Sequence, residues 1–373
     1  MTDRIYLDHA AGAPLLPQAR RAMDEVWSRP GNPSSLHTAG RSARRSLEES
    51  RESLAQCLGA HPTEIVFTSG GTEANNLILL GAAAARPDRP RLAIGAAEHP
   101  SVAGVVERLP GRVEVWGVDA GGRLRDPGPI SAETALVSTM LVNNETGVVQ
   151  PLEAVVAAVR KAGAWVHTDA VQAFGHLPLD FAGLGVDALT VSAHKLGGPV
   201  GIGALVVRRD VALAAPGFGG GQERRVRSGT VMVALAVGFA AAARVAVGDL
   251  ATEPARLTTL RERLVQGVSV LPEVVVNGSA PTSPAIVNVT FRGCRADDLL
   301  LILDAAGIDC STGSACTAGV HQPSEVLLAM GRSAADASAS LRFSLGPTTD
   351  AAAIERVLAV LPEAVVRARA AAL

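Results

Sequence analysis

The sequence lacks several features that would place it in a common class of protein. Its 373 residues contain four cysteines, unevenly spaced and without a CxxC pair or a Cys/His cluster, so neither a disulfide framework nor a zinc site is predicted. The formal net charge of −2 gives no indication of nucleic acid or an anionic membrane as a partner. The N-terminus has acidic residues and no apolar signal-peptide core, so we expect a reducing, cytoplasmic location.

Long hydrophobic runs are also scarce. The longest, residues 230–247, contains Arg244 and is rich in alanine, so we interpret it as a buried helix and not as a membrane span. We find no repeats and no low-complexity linkers. What the chain does have is 48% hydrophobic residues over a length sufficient for two domains. A large core is therefore expected.

Strand and helix signals alternate along most of the chain. Apolar runs with β-branched residues predict strands at residues 65–68, 91–95, 113–118, 135–142, 165–168, 188–192 and 201–207. Helices are predicted between several of them, which indicates an α/β fold with a mostly parallel sheet covered on both faces. From about residue 254 the pattern changes to that of a smaller α+β domain. We expect a large domain over residues 15–254 and a small domain formed by residues 1–14 and 255–373.

One lysine directly follows a predicted strand. Lys195 lies just after residues 188–192 and just before Gly197, so its ammonium is expected above the edge of the sheet, where such folds bind ligands. Burial beside other cations would lower its pKa and make the amine a nucleophile toward a carbonyl, as in a Schiff-base lysine. A lysine in a surface turn is the alternative, and the residues at the neighbouring strand ends argue against it.

Those other strand ends carry groups that complement one ligand. A glycine turn ending at Gly71 leads into a helix, whose free N–H groups and the Thr72 hydroxyl suit a phosphate. His99 can stack on a flat ring or move protons, and a side-chain amide of Asn143 or Asn144 can bond a phenolic oxygen. Asp169 needs a cationic partner, such as a protonated pyridine nitrogen. Together with the lysine, these groups predict pyridoxal 5′-phosphate as the cofactor.

Six motifs occur in an order that resembles a known family. They are TSGGTEANN (68–76), VNNETGVV (142–149), HTDAVQAFG (167–175), SAHKLGGPVGIGAL (192–205), GGGQERRVRSGT (219–230) and STGSACTAG (311–319). This series resembles the cysteine desulfurases of the NifS/IscS group, in the class V aminotransferase family of fold-type I pyridoxal-phosphate enzymes. The resemblance extends from Tyr6 to Gly346 and implies a seven-stranded sheet in the large domain.

The resemblance implies a role for each matching residue around the cofactor. Lys195 would form the Schiff base, Asp169 would pair with the pyridine nitrogen, and His99 would stack on the ring and handle protons. The remaining implied cofactor contacts are Gln172 and Asn144 at the phenolic oxygen, and Gly71, Thr72, Ser192 and His194 at the phosphate.

Further implied roles concern the substrate and a second subunit. Thr230 would reach the phosphate bound in the neighbouring subunit, so that the protein would be a homodimer with composite sites. Asn32 and Arg342 would bind the carboxylate of L-cysteine, and the fork of a guanidinium suits that group.

A cysteine separates desulfurases from other members of this fold. Cys316 lies among the small residues 311–319, and an exposed thiol on such a segment suits a nucleophile. The resemblance implies that Cys316 takes the sulfur of L-cysteine, leaves L-alanine, and passes its persulfide to an acceptor protein. Cys57 and Cys310 are interpreted as packing residues. No resident metal is predicted, although Cys316 could ligate an iron–sulfur cluster that is being transferred.

The pathway and two other functions stay open on the sequence. Iron–sulfur cluster assembly, tRNA thiolation or another thiolation pathway would each use the persulfide, and the short tail after Pro362 keeps a dedicated thiolation pathway in view. Selenocysteine lyase or cysteine sulfinate desulfinase activity is the alternative on the same fold, whereas Cys316 argues against an epimerase or transaminase. A non-catalytic binding protein is more distant, because Lys195, Asp169 and His99 are intact. Neither nucleic acid nor a membrane is predicted as a partner.

Overall fold

The computed structural model of the chain describes residues 4–126, 128–313 and 322–372. Within these ranges the strands are β1 (Ile5–Tyr6), β2 (Ile65–Thr68), β3 (Arg91–Gly95), β4 (Val113–Trp116), β5 (Thr134–Ser138), β6 (Trp165–Asp169), β7 (Ala188–Ser192), β8 (Gly203–Val207), β9 (Val274–Asn277), β10 (Ile286–Phe291), β11 (Ile308–Asp309) and β12 (Ser340–Ser344). The helices are α1 (Pro17–Trp27), α2 (Thr38–Leu58), α3 (Gly71–Ala85), α4 (Pro100–Ala103), α5 (Val105–Arg108), α6 (Leu152–Lys161), α7 (Phe181–Leu184), α8 (Val233–Gly248), α9 (Glu253–Ser269), α10 (Ala296–Ala305), α11 (Glu325–Ala329), α12 (Ala334–Ser338) and α13 (Ala351–Ala371).

The central sheet is seven-stranded and mostly parallel. Its strand order is β2-β8-β7-β6-β5-β3-β4. Neighbours from β7 to β4 pair in parallel, whereas β8 is antiparallel to both β7 and β2. All strands of this sheet except β8 therefore point the same way, and the α/β fold predicted from the sequence is confirmed. The carboxyl ends of β2, β3, β5, β6 and β7 consequently share one edge of the sheet.

Both faces of this sheet are buried. Phe67 and Val206 pack into the hydrophobic cluster formed with α1, α2 and α8, whereas Val66 and Leu205 face the cluster formed with α3. This alternation arises because successive side chains of a strand point to opposite faces of the sheet. Helices on both faces explain why the strands read as continuous apolar runs in the sequence.

A second sheet is antiparallel and has the order β12-β10-β9. Elsewhere β1 pairs in parallel with β11. With α9, α10 and α13 these strands enclose a hydrophobic cluster of their own. The division into domains at residues 15–254, and 1–14 with 255–373, stays a prediction. Val326, Leu327 and Met330, around α11, pack instead against the cluster of the central sheet.

The strand predicted over residues 135–142 is shorter in the structure, where β5 ends at Ser138. Beyond that point, the N–H groups of Thr139 and Leu141 still donate to carbonyls of the neighbouring β6 segment. The N–H of Met140, however, donates to Oε1 of the Glu98 side chain, at 2.8 Å. Because a side chain takes the place of a strand here, the chain leaves the sheet and continues along its edge.

The apolar run at residues 230–247 forms most of α8. Among the described residues, the helical stretch Val233–Ala251 is long and apolar enough to cross a membrane, a property that core helices share. Ala236, Phe239 and Ala243 of α8 are fully buried in the cluster of the central sheet. This is the packing expected of a core helix.

Candidate active site

The carboxyl edge of the central sheet borders a cavity of about 360 Å³. The strand ends and the turns that follow them bring most of the predicted site residues to this cavity. Those lining it are Gly71, Thr72, His99, Asn144, Asp169, Gln172, Ser192, His194, Lys195 and Arg342. We call this space the Lys195 cavity.

Lys195 is one of two lysines in the sequence and ends a short 3₁₀ turn after β7. Its Nζ donates hydrogen bonds to the carbonyl oxygens of Ala10 and Ala11, at 2.6 and 2.9 Å. Burial, and after it the Arg342 guanidinium, lowers the pKa of Lys195 to about 8. A substantial part of the amine is therefore neutral and nucleophilic in mildly alkaline solution.

Asp169 ends β6 and is held by two donors. Its Oδ1 accepts from the N–H of Val171 at 2.9 Å, and its Oδ2 accepts from Nδ2 of Asn75 at 2.7 Å. The same Asn75 amide donates to Oγ of Ser101, at 2.8 Å. The Asp169 residue is 6% exposed, so a positively charged group in the cavity would find a buried and firmly oriented carboxylate.

His99 continues this network. Its Nδ1 accepts the N–H of Ser101 at 3.1 Å and lies 2.7 Å from the Ser101 hydroxyl. Burial lowers the pKa of His99, although the charge of Asp169 acts in the opposite direction. Because Nδ1 accepts a backbone N–H, the proton of the neutral ring resides on Nε2. His99 thus offers an N–H donor at the Lys195 cavity.

The first turn of α3 forms one end of the cavity. No side chain caps this helix at Gly70, and the first N–H groups of a helix have no partner within it. A Cβ on Gly71 would come within 2.9 Å of the Val171 side chain, so glycine is required for this close approach. Opposite it, Ser192 Oγ and His194 Nδ1 are 2.9 Å apart, and burial lowers the pKa of His194 to about 4. Backbone N–H groups, hydroxyls and a neutral imidazole suit an anionic group.

Arg342 on β12 faces this assembly from the second sheet. One of its terminal nitrogens donates to Oδ1 of Asp8 and the other to the carbonyl of Asn144, at 2.8 and 2.9 Å. Its Nε is buried with no hydrogen-bond partner among the described residues, and the same holds for Oδ1 of Asn144. Gln172 donates to the carbonyl of Ala10 at 2.9 Å. This side of the cavity therefore keeps polar atoms that a ligand can satisfy.

Two predicted residues lie away from the Lys195 cavity, and a third is not among the described residues. Asn32 and Thr230 line a different cavity of about 490 Å³, together with Arg44 and Gln222. Cys316 lies outside the described residues. Gly313, three positions before it in the sequence, does line the Lys195 cavity.

Sequence reasoning missed several polar residues that build the site. Asn75 and Ser101 connect Asp169 to His99, and Asp8 pairs with Arg342. A signal for Asn75 existed, because it follows Thr72 by three positions in a helix and so shares its face. No local pattern could indicate the Asp8 pairing, which joins residues 334 positions apart.

An α/β sheet with a lysine, an aspartate and a helix N-terminus at its carboxyl edge defines an enzyme of the kind that binds a phosphorylated cofactor there. The chain belongs to the aminotransferase class-V family, a family of pyridoxal-phosphate-dependent enzymes, whose model matches residues 5–357.

Individual relatives match nearly the whole chain. The IscS-like cysteine desulfurase of Mycobacterium tuberculosis (strain ATCC 25618 / H37Rv) is 49% identical over 99% of this chain and 98% of that protein. The solved NifS-like protein from Rickettsia africae ESF-5 superposes with a TM-score of 0.89 at 30% identity, covering 97% of this chain and 99% of its own. The solved structure of SspA in complex with cysteine superposes with a TM-score of 0.79 at 33% identity. The match covers 93% of this chain and 100% of the SspA chain.

Proposed function

We propose that this protein is a cysteine desulfurase, a pyridoxal-phosphate-dependent enzyme that takes the sulfur of L-cysteine and leaves L-alanine. The observation that carries the proposal is the convergence of Lys195, Asp169, His99 and Arg342 on one cavity, which Gly313 also lines at the approach to Cys316. The M. tuberculosis relative is named for this activity, and SspA was solved with cysteine.

The cavity fits pyridoxal phosphate in its donors and acceptors. Asp169 offers the oriented carboxylate that a protonated pyridine nitrogen needs, and the start of α3 with Ser192 and His194 suits the phosphate. The buried Oδ1 of Asn144, unpaired among the described residues, indicates that its amide is there for a polar ligand. When bound, this cofactor withdraws electrons from the α-carbon of an amino acid.

Lys195 and His99 are proposed to handle the cofactor and the protons. With a pKa of about 8, the Lys195 amine can hold the cofactor's carbonyl carbon and, once released, accept or return a proton at Nζ. The carbonyls of Ala10 and Ala11 orient it by accepting from that ammonium. His99, neutral with its proton on Nε2, would stack on the ring and donate that proton within the cavity.

Substrate binding and sulfur transfer are assigned to the other side of the cavity. Arg342, fixed by Asp8 and Asn144, would bind the cysteine carboxylate. The Cys316 thiolate would attack the substrate Sγ, so that an S–S bond forms as the substrate C–S bond breaks and the carbon takes up a proton. Cys310 is unsuited to this role, because burial raises the pKa of its thiol well above the ordinary value.

The finer features of the proposal concern assembly and pathway. Asn32 and Thr230 lie together away from the Lys195 cavity of their own chain. For Thr230 this position supports a homodimer in which it reaches the phosphate bound in the neighbouring subunit, and Asn32 is proposed to bind the substrate carboxylate. We propose that a protein accepts the sulfur, in iron–sulfur cluster assembly or in a thiolation pathway. The enzyme is proposed to be cytoplasmic.

The test is an anaerobic single turnover of the purified enzyme with L-cysteine and no reductant, followed by intact mass and peptide mapping. We expect one added sulfur on Cys316 and one alanine per site. Cys316→Ala should gain no sulfur, and Cys310→Ala is the matched control that should behave as wild type. A perturbed cofactor absorbance without added sulfur would overturn the proposal and direct the search to selenocysteine and cysteine sulfinate.

A further inference from the structure

Glu145 is a buried carboxyl group that the proposed chemistry does not use. It follows Asn144 directly, is 6% exposed, and burial raises the pKa of its side chain. Its Oε2 accepts a hydrogen bond from the hydroxyl of Ser324, which is itself 1% exposed. Burial of a carboxyl group costs free energy unless hydrogen bonds or opposite charges stabilise it.

The turn that carries Glu145 is held rigidly. Oδ1 of Asn143 accepts from the N–H groups of Glu145 and Thr146, at 3.0 and 2.8 Å, and Nδ2 of Asn143 donates to the carbonyl of Ala97 at 3.0 Å. The turn closes through Gly147, whose φ of 75° suits glycine and whose N–H donates to the Asn143 carbonyl. Glu145 therefore projects from a fixed base beside the Lys195 cavity.

This carboxyl touches both chain segments that flank residues 314–321. On the leading side, a Cβ placed on Gly313 would lie 3.3 Å from Glu145 Oε2, so the backbone there packs against the carboxylate. On the following side, the hydroxyl of Ser324 donates to that same oxygen and also caps α11 by accepting the N–H of Leu327 at 3.1 Å. The Glu145 carboxyl group therefore lies beside Gly313 and is hydrogen-bonded to Ser324.

The leading segment is also tied to the substrate side of the cavity. Ser311 and Arg342 exchange two backbone hydrogen bonds, at 3.1 and 2.6 Å, and the Arg342 guanidinium donates to the carbonyl of Asn144. Glu145 connects these residues to the start of α11, because its carboxylate accepts a hydrogen bond from Ser324, the residue that caps that helix.

We propose that Glu145 is a positioning residue, which holds Gly313 and Ser324 together and so fixes the two ends between which Cys316 lies in the sequence. The inference rests on the proposed function, since it concerns the delivery of Cys316 to the substrate sulfur. It predicts a defect in sulfur transfer and not in the encounter of cysteine with the cofactor.

The test uses the holoenzyme in anaerobic single turnovers with L-cysteine and follows two signals. The change in cofactor absorbance reports the encounter with cysteine, and mass spectrometry of quenched samples reports persulfide on Cys316. In Glu145→Ala we expect the absorbance change within two-fold of wild type, and persulfide formation slower by about 10- to 100-fold. Glu145→Gln keeps an acceptor for Ser324 and should recover most of the rate.

Two further variants complete the test. Ser324→Ala should slow persulfide formation as Glu145→Ala does, and the double variant should be no slower than the slower single, because both remove one interaction. Glu325→Gln, an exposed glutamate next to Ser324, is the matched control and should match wild type.

Three outcomes would overturn the inference. The first is wild-type persulfide formation in Glu145→Ala and Ser324→Ala. The second is an equal slowing of the absorbance change and the persulfide in every variant, Glu145→Gln included, which would mean general damage to the site. The third is a wild-type enzyme that responds in absorbance but gains no sulfur. In that case the proposed function fails first and this inference fails with it.

Discussion

The Lys195 cavity has two sides that are built differently. The sheet side, formed by Gly71, His99, Asp169, Ser192 and Lys195, consists of residues placed directly at strand ends or on the helix that follows. On the loop side, Asn144 and Arg342 line the cavity. Asp8 pairs with Arg342, and Glu145, next to Asn144, bonds Ser324, so this side is assembled by contacts between remote segments. The Arg342 guanidinium alone reaches partners 198 and 334 positions away in the sequence.

The difference indicates a division of labour. Strand ends of one sheet keep fixed spacings, so the sheet side suits a cofactor that stays bound through every turnover. The loop side depends on hydrogen bonds between segments remote in sequence, and it carries the groups that are proposed to bind the substrate. Changes on the sheet side should therefore affect cofactor retention, and changes on the loop side should affect the kinetics with cysteine.

The largest effect is expected from Asp169→Asn on the sheet side. The variant keeps the shape of the side chain but removes the charge that a buried pyridinium would need, and breaking such a pair lowers affinity by about 10²- to 10³-fold. Cofactor dissociation measured by dialysis and absorbance checks this. Asp187→Asn is the control, since Asp187 precedes β7 and bonds the N–H of Val166 away from the cavity. If Asp169→Asn retains the cofactor as the wild type does, the Asp169 carboxylate does not contribute to cofactor binding.

A smaller effect is expected from Arg342→Lys on the loop side. Lysine keeps the charge but loses the planar fork, so the KM for cysteine should rise by about 10-fold while cofactor retention stays within two-fold. Steady-state alanine formation and the same dialysis assay measure the two quantities. Arg263→Lys, in an exposed pair with Glu355, is the control and should change neither. Loss of cofactor from Arg342→Lys would contradict the division between the two sides.

The same division explains how much could be predicted from the sequence. Strand periodicity located β2, β3, β6 and β7 to within a residue, and with them the placement of His99, Asp169 and Lys195 at one edge. On the loop side, the resemblance to the family predicted a role for Arg342. The contacts of Asp8 with Arg342 and of Glu145 with Ser324 could not be predicted, because they depend on how distant segments pack. Likewise, the end of β5 at Ser138 depends on the Glu98 carboxyl, which no local pattern in residues 135–142 reveals.

The smallest expected effect, and the one that links the two sides, concerns the ionisation of Lys195. Burial is the main cause of its lowered pKa and Arg342, on the loop side, is the next. In cofactor-free protein, acylation of Lys195 should therefore rise with pH and reach half its maximum near 8, well below the value of about 10.4 for a free lysine. Competitive labelling and peptide mapping measure it, with the exposed Lys161 as the internal reference.

Replacing Arg342 tests whether charge connects the two sides. In Arg342→Gln the repulsion between guanidinium and ammonium is absent, so the protonated amine is favoured and the midpoint for Lys195 should move to higher pH. It should stay below the free-lysine value, because burial persists in the variant. A midpoint that does not move would mean that the two sides share a cavity without sensing each other's charge. A wild-type midpoint near 10.4 would mean that Lys195 is solvated in solution, and the case for its nucleophilic amine would then depend on the cofactor alone.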